Sequence, residues 1–112
     1  MRYEEADDRS REEILKLLES GEPEKIISAL HSATYYESDW RWVQSQCLRF
    51  LSHPTVNVRW AAAVFLGDIA VFHKTLDLEI VLPVLYEASK DPAIQQAVQE
   101  SLDFIDWYIT KH

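Results

Sequence analysis

The chain has 112 residues, a length typical of one domain, and its formal net charge of −8 disfavours contact with the phosphates of nucleic acids. No apolar run approaches the about 20 residues that cross a bilayer, and the acidic N-terminus lacks the apolar core of a secretory signal. The single cysteine, Cys47, fits a reducing compartment, so we predict a cytoplasmic protein that contacts neither nucleic acid nor membrane.

The first predicted pair of helices lies in the N-terminal third. Ser10 and Glu13 have the spacing of a capping box, which predicts a helix over residues 10–20. Gly21 is a favourable residue just past its end. A second helix is predicted over residues 23–36, because proline is favoured in a first turn and apolar residues recur there at helical spacing.

The second pair contains the most apolar helix. A cap at Ser38 or Asp39 predicts the start of a third helix. This helix should end at Ser52–Pro54, because the residue before a proline avoids the helical conformation. The fourth helix is predicted over residues 55–73 and is apolar around most of its circumference, which indicates a central position in the packing. Its main inward stripe is predicted to consist of Val58, Ala62, Phe65, Leu66, Ile69 and Phe72.

The third pair begins at Asp77, a predicted helix cap. Pro83 falls about two turns into the fifth helix, where we expect a bend and not a break. The sixth helix is predicted to start at Asp91–Pro92 and to carry inward-facing apolar residues as far as Ile109.

The order of these elements predicts an all-α fold. The segment Leu-Ser-His-Pro that ends at Pro54 resembles the Ser-Lys-Asp-Pro that ends at Pro92, which indicates an internal repeat. Short loops make consecutive helices antiparallel neighbours. We therefore predict one domain over residues 1–112, a short α-α superhelix of about six antiparallel helices in three hairpins, with residues 1–9 as a loose N-terminal segment. A compact irregular helix bundle is the alternative.

The residues that commonly carry chemistry give no catalytic or metal-binding pattern. The four histidines lack the spacing of a zinc or iron motif, and two isolated glycines cannot build a phosphate loop. Cys47 lies on the apolar face of the third helix, where a core position is expected. We therefore predict no enzyme activity, no cofactor and no bound metal.

Aromatic and acidic residues instead predict a surface that binds another protein. On the fourth helix, Trp60, Val64 and Asp68 recur every four residues away from the main stripe, and the sixth helix carries a comparable row. Interfaces favour tryptophan at their centres, while charges steer the partner. In the alternative structural interpretation, the tryptophans pack against the second helix and each other, and the acids form a solvated face. The predicted partner-binding residues are Trp42, Trp60, Val64, Asp68, Gln96, Glu100, Asp103 and Trp107.

The repeat pattern resembles small bacterial HEAT-repeat proteins, some of which serve as immunity proteins of polymorphic toxin and contact-dependent inhibition systems. The resemblance rests on the stretches Asp39–Gln44, Cys47–Leu51, His53–Pro54, Val58–Arg59, Leu66–Gly67, Leu76–Leu78, Val81–Leu85 and Asp91–Pro92. It implies a HEAT-like solenoid whose second helices line the concave side. It also implies that Arg59 joins a ladder of hydrogen bonds to acids of neighbouring turns, with Asp91 as one of them. His53 departs from the acid usual at its turn, so a regular ladder is in doubt.

The resemblance and the charge together predict a monomeric immunity protein. Residues 1–24 and 77–112 each carry a net charge of −5, while residues 25–76 carry +2. Such acidity speeds encounters with basic proteins. The expected partner is a basic, nuclease-type toxin domain whose active site the chain would occlude. A general scaffold that binds a peptide or helix in the concave groove is the main alternative. A resemblance to phycobilin lyases and a DNA-repair solenoid are further alternatives, which the residues support less.

Overall fold

The computed structural model describes residues 8–111, and within that range the chain forms helices and no strand, which confirms the predicted all-α fold. Six α-helices are followed by one π-helical turn. Their bounds are α1 Arg11–Leu18, α2 Pro23–Tyr36, α3 Trp40–Phe50, α4 Val56–His73, α5 Leu78–Ala88, α6 Gln95–Ile105 and the π-helical turn Asp106–Thr110.

The helix ends follow the local signals of the sequence. Ser10 and Glu13 form the predicted capping box, each side chain bonding the other residue's backbone N–H. Gly21 adopts a φ of 74°, the left-handed conformation that glycine accepts most readily. The Asp39 carboxylate accepts the Trp42 N–H at 3.2 Å. Most of the segment that we expected to be loose, residues 1–9, lies outside the described residues.

The start of the sixth helix differs from its prediction. We expected it at Asp91–Pro92, whereas α6 begins at Gln95. The Asp91 carboxylate accepts the Ala93 N–H at 3.0 Å, and the Asp91 carbonyl accepts the Ile94 N–H at 3.2 Å. These bonds hold residues 91–94 in a turn that competes with the helix. Pro83, in contrast, lies inside one continuous α5, as predicted.

The helices pack as three consecutive hairpins, α1–α2, α3–α4 and α5–α6. The second helices of the hairpins also contact one another, α2 with α4 and α4 with α6. This arrangement is that of a short superhelix, with α4 at its centre. Helix α4 is long and apolar enough to span a membrane by length and composition alone. Half of it is buried inside the protein, as expected of a core helix.

One residue of the predicted α4 stripe is not part of the core. Phe72 is 51 % exposed, although we expected it to face inward with Ile69 and Leu66, which are fully buried. Its ring centroid lies 4.7 Å from that of Tyr35, at the end of α2. Tyr35 is itself exposed, so this contact leaves the Phe72 ring at the surface.

Helices α4 and α6 approach each other closely at Gly67. A Cβ atom at this position would lie 2.9 Å from the Ser101 Cα and 3.1 Å from a Phe104 ring carbon. The Ser101 hydroxyl donates a hydrogen bond to the Ala63 carbonyl of α4. The absence of a side chain at Gly67 therefore allows the two backbones to touch.

Arg59 joins two interhelical turns, as the repeat resemblance implied. Its Nη1 donates to the carbonyls of His53 and Pro54, both at 3.0 Å, and its Nη2 lies 3.3 Å from Asp91 Oδ2. His53 Nδ1 accepts the Thr55 N–H at 3.0 Å. The imidazole thus bonds the turn before α4 in the same way as the Asp91 carboxylate bonds the turn before α6.

We expect Arg59→Ala to lower the free energy of unfolding by about 2–3 kcal/mol, because two carbonyls and a partly buried carboxylate lose their donor. Urea denaturation measures this change. Arg41→Ala is the control, since the Arg41 side chain is 70 % exposed in its pair with Asp77 and should contribute less than about 1 kcal/mol. Equal losses in the two variants would contradict the role of Arg59.

We expect Gly67→Ala to destabilise the protein by about 1–3 kcal/mol, although alanine favours helix more than glycine does. The added methyl group would press on the α6 backbone, which cannot move aside as a flexible side chain can. Thermal unfolding of the variant tests this expectation. A higher melting temperature would show that α6 shifts without cost.

Candidate partner-binding surface

A pocket of about 340 Å³ opens between α2 and α4. Helix α4 contributes Trp60, Val64 and Asp68, so the structure brings together the row that the sequence singled out. We call this cavity the α2–α4 pocket. Its other lining residues are His31, Tyr35, Ala61 and Phe65.

Aromatic rings form one wall of the α2–α4 pocket. The His31 imidazole stacks on the Phe65 ring, with centroids 5.5 Å apart and planes 12° from parallel. The Tyr35 ring meets His31 edge-on at a centroid distance of 4.8 Å. These contacts fix the rings against one another, so the wall exists before any ligand arrives.

Asp68 is the acidic group of the α2–α4 pocket. Burial raises the pKa of its carboxyl group from 3.8 to about 6. Among residues 8–111, neither a hydrogen-bond donor nor a basic side chain pairs with this carboxylate. Burial also lowers the pKa of His31, which disfavours a positive charge on the neighbouring imidazole. Within residues 8–111, the pocket therefore contains a carboxylate without a counter-charge.

A second depression, of about 420 Å³, lies at the C-terminal end of α6. Asp103 and Trp107 line it, as do residues of the π-helical turn. The Lys111 ammonium lies 3.4 Å from an Asp106 oxygen and 5.5 Å from the Trp107 ring centroid. The Asp106 carboxylate of this depression is thus partly neutralised by a lysine of the same chain.

The remaining predicted residues lie elsewhere on the surface. Gln96 and Glu100 are exposed on α6, in line with the sequence expectation. Trp42 is partly buried, and the Arg11 guanidinium lies 4.5 Å from the centroid of its ring. Trp42 therefore packs against the first hairpin and belongs to a different contact from that of Trp60.

Sequence reasoning missed the α2 side of the pocket. His31 and Tyr35 are four residues apart on α2, which places them on one face of that helix. Their spacing was the available signal, but it does not reveal which helix the pair faces. Over residues 8–111, no group of histidine, cysteine or acidic side chains has the arrangement of a metal site.

Cys47 occupies the predicted core position on α3. It is fully buried, and burial raises the pKa of its thiol well above the usual range. A thiol in this state is a poor nucleophile. Its packing, not its reactivity, explains its presence in the apolar face of α3.

We expect Asp68→Asn to stabilise the protein at pH 7. The Asp68 carboxyl group has a higher pKa in the folded state than in the unfolded state, so its ionisation lowers the free energy of unfolding. This loss develops as the pH rises from about 4 to 6 and is complete above pH 6. With allowance for solvent screening, we expect a gain of about 1 kcal/mol. Urea denaturation between pH 4 and 8 measures it.

The gain should shrink as the pH falls to 4, where the native carboxyl group is protonated. Asp103→Asn is the matched control, because Asp103 is exposed on α6 and its replacement should have no comparable effect. A gain in Asp68→Asn that does not depend on pH would contradict the assignment.

Comparison with solved structures gives an informative match. No family model matches the chain, and no curated protein matches it. Among solved structures, a chain in the crystal structure of a CDI complex from Cupriavidus taiwanensis LMG 19424 has a TM-score of 0.86 and 30 % sequence identity to this one. The match covers 96 % of this chain and 97 % of that chain.

Proposed function

This chain belongs to the family of the chain that it matches in the Cupriavidus CDI (contact-dependent inhibition) complex, and from that membership we propose that it is an immunity protein that binds a toxin domain. The match extends over nearly the whole of both chains, which is the observation that carries the proposal.

We propose that binding occludes the active site of the toxin. Helix α4 and the π-helical turn after α6 present rings that are not fully buried: Trp60 is partly covered at the α2–α4 pocket, and Trp107 is 56 % exposed on the turn. Such rings can bury a large area in a partner's cleft at a small cost in side-chain entropy. Occlusion requires binding alone, so we propose a non-enzymatic, HEAT-like module that acts as a cytoplasmic monomer.

We propose a basic partner, such as a nuclease domain. The net charge of −8 attracts cationic surfaces and raises association rates, by about ten- to a thousandfold in favourable cases. On α6, Glu100 and Asp103 are exposed, where they can mimic the phosphates of a nuclease substrate. The acids would steer the encounter, and the rings would slow dissociation.

The test uses the full chain and the C-terminal domain of the protein encoded next to it, as the candidate toxin. Co-expression should protect cells from the toxin, and the purified proteins should form a one-to-one complex by light scattering. Raising the salt concentration from 50 to 300 mM should slow association more than it speeds dissociation. Failure to protect cells together with capture of an unfolded peptide would support a scaffold function instead.

We expect Trp60→Ala to weaken toxin binding by at least about tenfold, mainly through faster dissociation, because an aromatic anchor is lost. Surface plasmon resonance measures both rates. Tyr86→Ala is the control: Tyr86 is 57 % exposed on α5, in the first helix of its hairpin, and its loss should leave affinity within about twofold. Equal affinities of the two variants would exclude Trp60 from the interface.

A further inference from the structure

We propose that the α2–α4 pocket is a specific site for one arginine side chain of the partner, whose guanidinium group pairs with the Asp68 carboxylate between aromatic rings. This inference rests on the proposed function, because it names the chemical group that the partner inserts. It also defines a binding site that can be examined without the partner.

The walls of the pocket suit a flat cation. Rings of His31, Tyr35 and Trp60 line the cavity beside the Asp68 carboxylate. A guanidinium plane stacks on such rings while its N–H groups remain free to bond in the same plane. Phe65, stacked behind the imidazole, keeps the His31 ring in place.

The carboxylate supplies the charge that selects the ligand. Asp68 is partly buried and has neither a donor nor a basic partner among the described residues. Its charge is costly in this setting, as its raised pKa indicates. A guanidinium group would offset that cost with two parallel N–H···O bonds. A neutral side chain would leave the carboxylate without water or partner, so it would bind less well.

The size of the cavity suits one side chain. A volume of about 340 Å³ lies at the lower end of the about 300–1,000 Å³ found for small-ligand sites. One extended arginine side chain fits such a space, whereas a helix or a peptide segment requires a longer groove. Lysine would reach the carboxylate as a point charge, but it would forgo the stacking and the paired hydrogen bonds.

The direct test titrates the isolated chain with N-acetyl-arginine-N-methylamide and follows its amide and indole signals by NMR. We expect a saturable shift of the Trp60 indole N–H signal and of the Val64 and Asp68 amides, at a dissociation constant of about 1–10 mM. The lysine analogue should bind several-fold more weakly, and the norleucine analogue should cause no saturable shift. Equal shifts with all three probes would overturn the inference.

Two variants locate the site. Asp68→Asn keeps the shape of the side chain and removes its charge, and Val64→Phe fills the cavity; each should weaken arginine binding by at least about tenfold. Glu87→Gln removes one charge at an exposed position of α5 and should leave binding unchanged. Thermal unfolding of each variant shows that the fold is retained. Undiminished binding in both pocket variants would overturn the inference.

An experiment on the complex distinguishes failure of the arginine site from failure of the proposed function. Each arginine of the toxin domain is changed to alanine and combined with Asp68→Asn in a double-mutant cycle. One arginine should show strong coupling, its loss costing little once Asp68 is gone. If the proteins bind and the effect of each arginine substitution adds to that of Asp68→Asn without coupling, the arginine site is wrong and the proposed function stands. If the proteins do not bind at all, the proposed function fails whatever the titration shows.

Discussion

The close contact of α4 with α6 at Gly67 sets the distance between the second and third hairpins. Because Gly67 has no side chain, the Ser101 backbone approaches α4 and its hydroxyl reaches the Ala63 carbonyl. The opposite flank of α4 packs on α2, and its most apolar side lies in the core. The narrow strip that remains carries Trp60, Val64 and Asp68, so the packing of α4 on both neighbours creates the candidate binding surface.

Polar bonds between turns keep the hairpins in register. Arg59 links the turn before α4 to the turn before α6. Gln44 and Asp77 bond reciprocally, the Gln44 amide donating to the Asp77 carboxylate at 3.0 Å while its oxygen accepts the Asp77 N–H at 2.8 Å. These bonds fix α3 and α4 relative to the third hairpin. A surface held in this way loses little conformational entropy when a partner binds.

Asp68 shows a conflict between stability and recognition. No described residue supplies a counter-charge to this partly buried carboxylate, which destabilises the fold at neutral pH, and an asparagine of the same shape would avoid that cost. Positions at which a sequence accepts such a cost are often sites of function. The contrast with Asp106, which a lysine and a threonine of the same chain already engage, makes Asp68 the more open of the two acids to a cationic partner.

The sequence by itself determined the helices and most of their ends, because caps and breakers act over a few residues: Ser10, Asp39 and Gly21 perform their predicted roles. It also placed Trp60, Val64 and Asp68 on one row, since helical spacing is local. Only the tertiary structure decided that His31 and Tyr35 complete the pocket, that Trp42 packs against Arg11, and that Phe72 lies outside the core. Those outcomes depend on which helices pack against each other and at what distance. Contacts between residues far apart in the chain determine both, and local sequence patterns do not record them.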